Sequence, residues 1–224
     1  MCDRLSSITL NADVINQKYH FVTSYNCGLD TGDVILFSTN KWYSDVIEYA
    51  NGSIFSHCGI ILRDPVYLDA SLNGLYMLES GKEDIPDVVD QKYHFGVQIV
   101  PLEDVIKEYE KYKEGEIYVR KLKCVRDKKF EENLSEAYNT IKNKPYNYNP
   151  IDWIEALFGF RFIDKQITTR FWCSALVAFI FVKLSLIQPT IEWTLVTPRD
   201  WFSGSENQFI FSQGITLEKE IKIL

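Results

Sequence analysis

The chain has 224 residues, 46% of them apolar and 25% charged, a balance that excludes wholesale disorder. With 24 Lys and Arg against 31 Asp and Glu the formal net charge is −7. That argues against duplex nucleic acid as the main partner, which would need a basic face. The five cysteines (2, 27, 58, 124 and 173) form an odd set without a C-x-x-C pair, the pattern of free thiols in a reducing, cytoplasmic compartment rather than of a disulfide framework or a zinc site.

Taken in chain order, residues 1–30 read as an N-terminal extension without the apolar h-region of a secretory signal. Val34 to Phe37, after Gly32-Asp33, reads as a strand. Trp42 to Ala50 has helical spacing, and His57 to Leu62 is a strand after the Asn51-Gly52-Ser53 turn. Val66 to Leu68 is predicted as a short strand, Asn73-Gly74 as a turn and Leu75 to Glu79 as a strand. Phe95 to Val100 continues the strands, Pro101 opens a helix reaching Tyr112, and Glu116 to Leu122 alternates as a strand. Asp127 to Asn143 places Phe130, Leu134, Ala137, Tyr138 and Ile141 on one helical face. A loop over Asn143 to Pro150 and a short helix over Ile151 to Phe158 precede the most apolar stretch, Phe171 to Ile187. Its uncharged part is about a dozen residues, short of the ~20 that span a bilayer, so it reads as a buried core helix and no transmembrane segment is expected. Thr197-Pro198-Arg199-Asp200 is a capping-box start. The pattern is α+β, and without a Gly/Ser/Pro-rich linker the expectation is a single domain over 1–224.

Cys173 stands where the apolar helix begins, after the candidate caps Thr168 and Thr169. A thiol at a helix N-terminus is pushed toward the thiolate by the dipole. Position alone leaves a packed core cysteine as the equal alternative. A nucleophilic thiol needs a base. His20 and His94 both lie in QKYHF segments among polar residues and read as surface positions, whereas His57 opens an apolar strand. Strand alternation turns His57, Gly59 and Ile61 one way and Cys58, Ile60 and Leu62 the other. Cys58 is therefore a core thiol rather than the partner of His57. The group that would orient the imidazole is Glu79, at the end of its strand, with Asp69 as the alternative. No metal is expected, since one His and one Cys do not make a four-ligand site, and no cofactor is implied.

These residues carry a resemblance. Thr31-Gly32-Asp33-Val34-Ile35-Leu36-Phe37, Ser56-His57-Cys58-Gly59-Ile60, Leu78-Glu79-Ser80, Gly96-Val97 with Pro101-Leu102, Lys144-Pro145-Tyr146-Asn147, Cys173-Ser174-Ala175-Leu176-Val177 and Thr197-Pro198-Arg199-Asp200 occur in that order. Together they resemble the circularly permuted papain-like cysteine hydrolases of the NlpC-type superfamily, in particular the YiiX-like group with its poxviral relatives. The resemblance implies a permuted papain-like fold, an antiparallel sheet or small barrel packed against helices. It also implies Cys173 as nucleophile, His57 as general base and acid, and Glu79 as the orienting group. Two positions depart from the pattern: Ala175 stands where the group often has Glu, and Lys144 where a Gly usually precedes Pro-Tyr.

The function expected is a thiol hydrolase that passes through a thioester acyl-enzyme and cleaves an amide or ester bond, on a peptide, amide or acyl-lipid substrate. The oxyanion would be held by the Cys173 backbone N–H and a second donor. Trp42, Tyr43, Tyr146, Tyr148, Trp153 and Trp172 either line an apolar cleft or fill the core. The alternatives are a lipid acyltransferase or phospholipase of the same fold and a non-catalytic binding or structural protein, possible in a virion if the chain is viral.

Overall fold

The computed structural model describes residues 28–39, 54–82, 84–112, 115–147, 149, 166–205 and 209–224. The helices read over 42–50 and 151–158, and most of the 1–30 extension, lie outside the described residues, as do Cys2, Cys27 and His20. Six strands form one antiparallel sheet: β1 (Val34–Thr39), β2 (His57–Arg63), β3 (Leu75–Lys82), β4 (Phe95–Pro101), β5 (Gly115–Lys123) and β6 (Thr216–Lys222). Their order is β4-β3-β2-β1-β5-β6. Among the described residues three α-helices accompany them: α1 (Leu102–Tyr112), α2 (Lys128–Ile141) and α3 (Cys173–Lys183). Among the described residues the sheet is open, with β4 and β6 at its edges, so the sheet form of the expectation applies rather than a small barrel.

Near-continuous apolar runs such as Val34 to Phe37 arise because the central strands are buried on both faces. Val34 and Leu36 belong to one core with Cys58, Ile60, Leu62, Leu78, Val97 and Ile99. Ile35 and Phe37 belong to another with Ile61, Met77, Val100, Ile117 and Val119. Leu102, Val105 and Tyr109 of α1 close this second core. On the opposite face α3, buried at every position from Cys173 to Phe181, packs against the sheet and is itself covered by Phe130, Leu134, Ala137, Tyr138 and Ile141 of α2. A helix apolar on all sides requires this double cover. None of the described helices is long and apolar enough to cross a membrane.

Two local expectations are corrected, and one strand is added. Residues 66–68 form a turn, not a strand: Asp64 adopts φ 45°, Pro65 has no N–H to give a ladder, and the backbone bonds run from Val66 N to Asp64 O and from Leu68 N to Pro65 O. The N-cap of α3 is Trp172, with no side-chain cap bond, rather than Thr168 or Thr169. Strand β6, TLEKEIK, is not read from the sequence because its charges mask a short alternation. The 197–200 start holds, as a 3₁₀ turn over Pro198–Trp201, with the Asp200 carboxylate accepting the Thr197 N–H at 2.7 Å and its hydroxyl at 2.9 Å.

Candidate active site

The site grows from an interruption in the sheet. The β2–β3 ladder runs from Arg63–Leu75 to Ile60–Leu78 and stops there, although β2 begins at His57 and β3 continues to Lys82. The neighbouring ladders carry on: β1 still pairs at Phe37–His57, and β4 at Glu79–Gln98 and beyond. Backbone groups of β2 before Ile60 are thus uncommitted on the β3 side. The Cys58 N–H lies on this side and favours charge on the Cys173 sulfur.

Through this gap, side chains of both sheet faces meet. His57 Nε2 hydrogen-bonds Glu79 Oε2, and the ring packs on Phe37 with centroids 5.5 Å apart. Glu79 is fully buried, and Gln98 Nε2 donates to its other oxygen, Oε1, at 2.5 Å. Gly81 lies beside this contact. A Cβ there would stand 2.6 Å from Glu79 Oε2 and 3.1 Å from His57 Cε1, so glycine is what leaves room for the pair. From the other face Cys173, 4% exposed, enters at the first position of α3 and meets His57 and Cys58, both of which bear on its charge. With Nε2 engaged by Glu79, Nδ1 is the ring nitrogen left for the thiol.

The helix start is fixed by side chains on either side of the cysteine. Trp172 Nε1 and Ser174 Oγ both donate to Val196 O, at 3.0 and 2.7 Å, and Ser80 Oγ on β3 donates to Phe171 O at 2.7 Å. Because no side chain caps α3, its first N–H groups remain available at the site, on the positive end of the helix dipole.

The electrostatics follow from the contacts. The hydrogen bond from the Cys58 thiol, the positive charge of His57 and the Cys58 N–H together overcome burial and hold the Cys173 thiol well below its ordinary range. Burial opposes a charge on His57, but the Cys173 and Glu79 charges outweigh it and hold the imidazole well above its ordinary value. Cys58 moves the other way: burial, then its bond to Cys173, push its thiol up, so it stays protonated and donates. Burial, then the charges of Cys173 and Glu79, also push up the Tyr146 hydroxyl.

Cys173, His57 and Glu79 are therefore brought together. Asp69 is not with them; its carboxylate accepts from Ser71 N and Oγ at 2.9 and 2.6 Å in the turn before β3. His94 Nε2 lies 3.0 Å from the Asp90 carboxylate. Cys58 is a core residue, as alternation requires, yet it also touches Cys173, because the helix approaches from the Cys58 face. Two residues near the thiol were not read as such. Gln98 carries a sequence signal, an amide inside the apolar run FGVQIV. Tyr146 is legible only as one of several aromatics; it is stacked on the half-exposed Phe95, with centroids 4.9 Å apart at 12°. Trp172 is buried core, while Trp42, Tyr43, Tyr148 and Trp153 lie outside the described residues. Among the described residues no group of three or more His, Cys, Asp or Glu is arranged to hold a metal ion.

No protein-family model matches the chain, and no curated protein matches it. Among solved structures it is similar to the crystal structure of metalloprotein yiiX from Escherichia coli O157:H7, at 15% identity and a TM-score of 0.48, over 86% of this chain and 98% of that one. A likeness of that size carries no inference about residues or chemistry.

Proposed function

We propose that the chain is a thiol hydrolase whose nucleophile is Cys173, with His57 as general base and acid and Glu79 as the group that orients the imidazole. The observation that supports it is the convergence of a lowered thiol, a raised imidazole and a buried carboxylate at an uncapped helix start. The Cys173 thiolate attacks a carbonyl carbon, and the oxygen takes up the negative charge. The Cys173 backbone N–H, at the uncapped start of α3, is a donor available to that oxyanion. As the tetrahedral species collapses, the C–N or C–O bond breaks and the imidazolium gives its proton to the leaving amine or alcohol. A thioester remains on Cys173. Neutral His57 then takes a proton from water, whose oxygen attacks the thioester, and the C–S bond breaks to release the acid and the thiolate.

A second reading, acyl transfer from a lipid, has one observation in its favour. Phe95, 52% exposed and stacked on Tyr146, offers apolar surface on which an acyl chain can lie.

The test is alkylation by iodoacetamide at pH 6, followed residue by residue by mass spectrometry. Cys173 is expected to react on the order of tenfold faster than Cys124, whose thiol is pushed up by burial, and His57→Ala is expected to remove that advantage. Equal rates at the two cysteines, unchanged by His57→Ala, overturn the hydrolase reading and leave a binding or structural role.

A further inference from the structure

We propose that Gln98 is a positioning residue of this site: its side-chain amide fixes the Glu79 carboxylate as the charged acceptor that turns His57 toward Cys173. The inference rests on reading Cys173, His57 and Glu79 as the working site, and deepens it by one residue.

Gln98 lies opposite Glu79 in the β3–β4 ladder, so the two side chains stand on the same face of the sheet. It is 1% exposed, in a strand whose other central positions, Gly96, Val97, Ile99 and Val100, are apolar and buried. The Glu79 oxygens are divided between two partners: Oε2 takes the His57 ring and Oε1 takes the Gln98 amide at 2.5 Å. A carboxylate removed from water holds its charge only while donors face it. With the amide gone, half of its acceptor capacity would face apolar side chains. The carboxylate would then be less firmly held against the ring and would balance an imidazolium less well.

A second observation shows that packing does not explain the residue. Among the described residues no donor reaches Gln98 Oε1, which is buried. An apolar side chain of similar length would fill the strand without this orphaned acceptor. What the amide adds is its N–H group, and that group is directed at Glu79.

Among the described residues the charged and titratable groups facing His57 are Glu79 from β3 and Cys173 from α3; Phe37 of β1 packs on the ring without charge, and Cys58 and Tyr146 lie in the same cluster. With Cys173 unchanged between variants, a change in the imidazole titration therefore reports a change in the Glu79 contribution. The chain has three histidines, so the ring Cε1–H resonances can be followed individually by NMR, with His57→Ala supplying the assignment. In Gln98→Met, which keeps the length and removes the donor, the His57 midpoint is expected to fall by about one pH unit, a tenfold loss of proton affinity. Ile99→Val, a same-strand control for mere loosening, is expected to leave it in place. In the unsubstituted chain the Gln98 side-chain amide protons are expected to shift through the same midpoint as His57, which tests the proposal even if Gln98→Met fails to fold. A His57 midpoint that is the same with and without the amide, or Gln98 amide protons that stay flat across the titration, overturns it. The two readings fail separately: alkylation that ignores His57 removes the hydrolase reading, whereas a stationary midpoint removes only the role of Gln98.

Discussion

At the scale of single residues the site is a pair of opposed shifts, and their pH signature can be worked out. His57 is raised above its ordinary 6.5, so its contribution to stability is complete below 6.5 and is lost as pH rises through the folded value. Cys173 is lowered below its ordinary 9.0, so its contribution is complete above 9.0 and is lost as pH falls through the folded value. Between 6.5 and 9.0 the unfolded pair carries one proton, on sulfur; wherever the folded pair is thiolate and imidazolium it also carries one, on nitrogen, and there the slopes cancel. Below this window the unfolded chain binds one proton more than the folded chain; above it, one fewer. The pair's contribution is therefore expected to be a plateau between 6.5 and 9.0 that declines on both sides. Urea denaturation across pH, with the Cys173→Ala/His57→Ala double variant as reference, measures it. A contribution that rises between 6.5 and 9.0 would mean that the folded imidazole is neutral beside the thiolate, and one that falls there would mean that the folded thiol keeps its proton.

At the scale of elements the cysteine depends on how the start of α3 is held. Val196 O accepts from both Trp172 Nε1 and Ser174 Oγ, so either donor alone still satisfies the carbonyl. Ser174→Ala is expected to cost about 1 kcal/mol in thermal or urea denaturation, the net worth of one neutral hydrogen bond. Combined with Trp172→Phe the loss should exceed the sum of the two single losses, because only then is a carbonyl without either donor. Simple additivity would show that the two bonds do not share the anchor. Most elements were legible: α1, α2, β1, β2, β4 and β5 follow their apolar periods to within a residue or two, and Asp127 caps α2 by accepting the Phe130 N–H at 2.9 Å. The 66–68 turn and β6 were not, since a backbone without a ladder donor and a strand of alternating charge both defeat an apolar pattern.

At the scale of the molecule the two halves of the chain are joined at Asp33, which is fully buried at the entry to β1. Its oxygens accept the Leu122 N–H and the Asp30 N–H, each at 2.9 Å, and face Lys121 Nζ at 2.8 Å. Arg126 braces the same corner, with Nε donating to Thr31 O at 2.6 Å and Nη2 to Leu122 O at 2.9 Å. The Gly-Asp opening of the first strand is thus accounted for by structure. Asp33→Asn replaces an acceptor by a group that presents donors to donors, and a loss of about 2 kcal/mol is expected in urea denaturation, the partly exposed Lys121 and Arg126 softening the cost of a broken buried pair. Alkylation of Cys173 should proceed at the unsubstituted rate. A slowed alkylation at unchanged stability would place Asp33 in the site instead.

The sequence by itself determined the α+β layout, the burial of α3, the opposite facing of His57 and Cys58, and the short choice of residues for a thiol site, because each follows from periodicity or from side-chain chemistry within one segment. Glu79 over Asp69, the contact of Cys58 with Cys173 and the amide of Gln98 behind the carboxylate were decided by tertiary structure alone. Each depends on where a neighbouring strand or helix lies in space. The β2–β3 ladder has to stop at Ile60–Leu78 before a cysteine from one face of the sheet can meet a histidine from the other, and no local period encodes where two strands cease to pair.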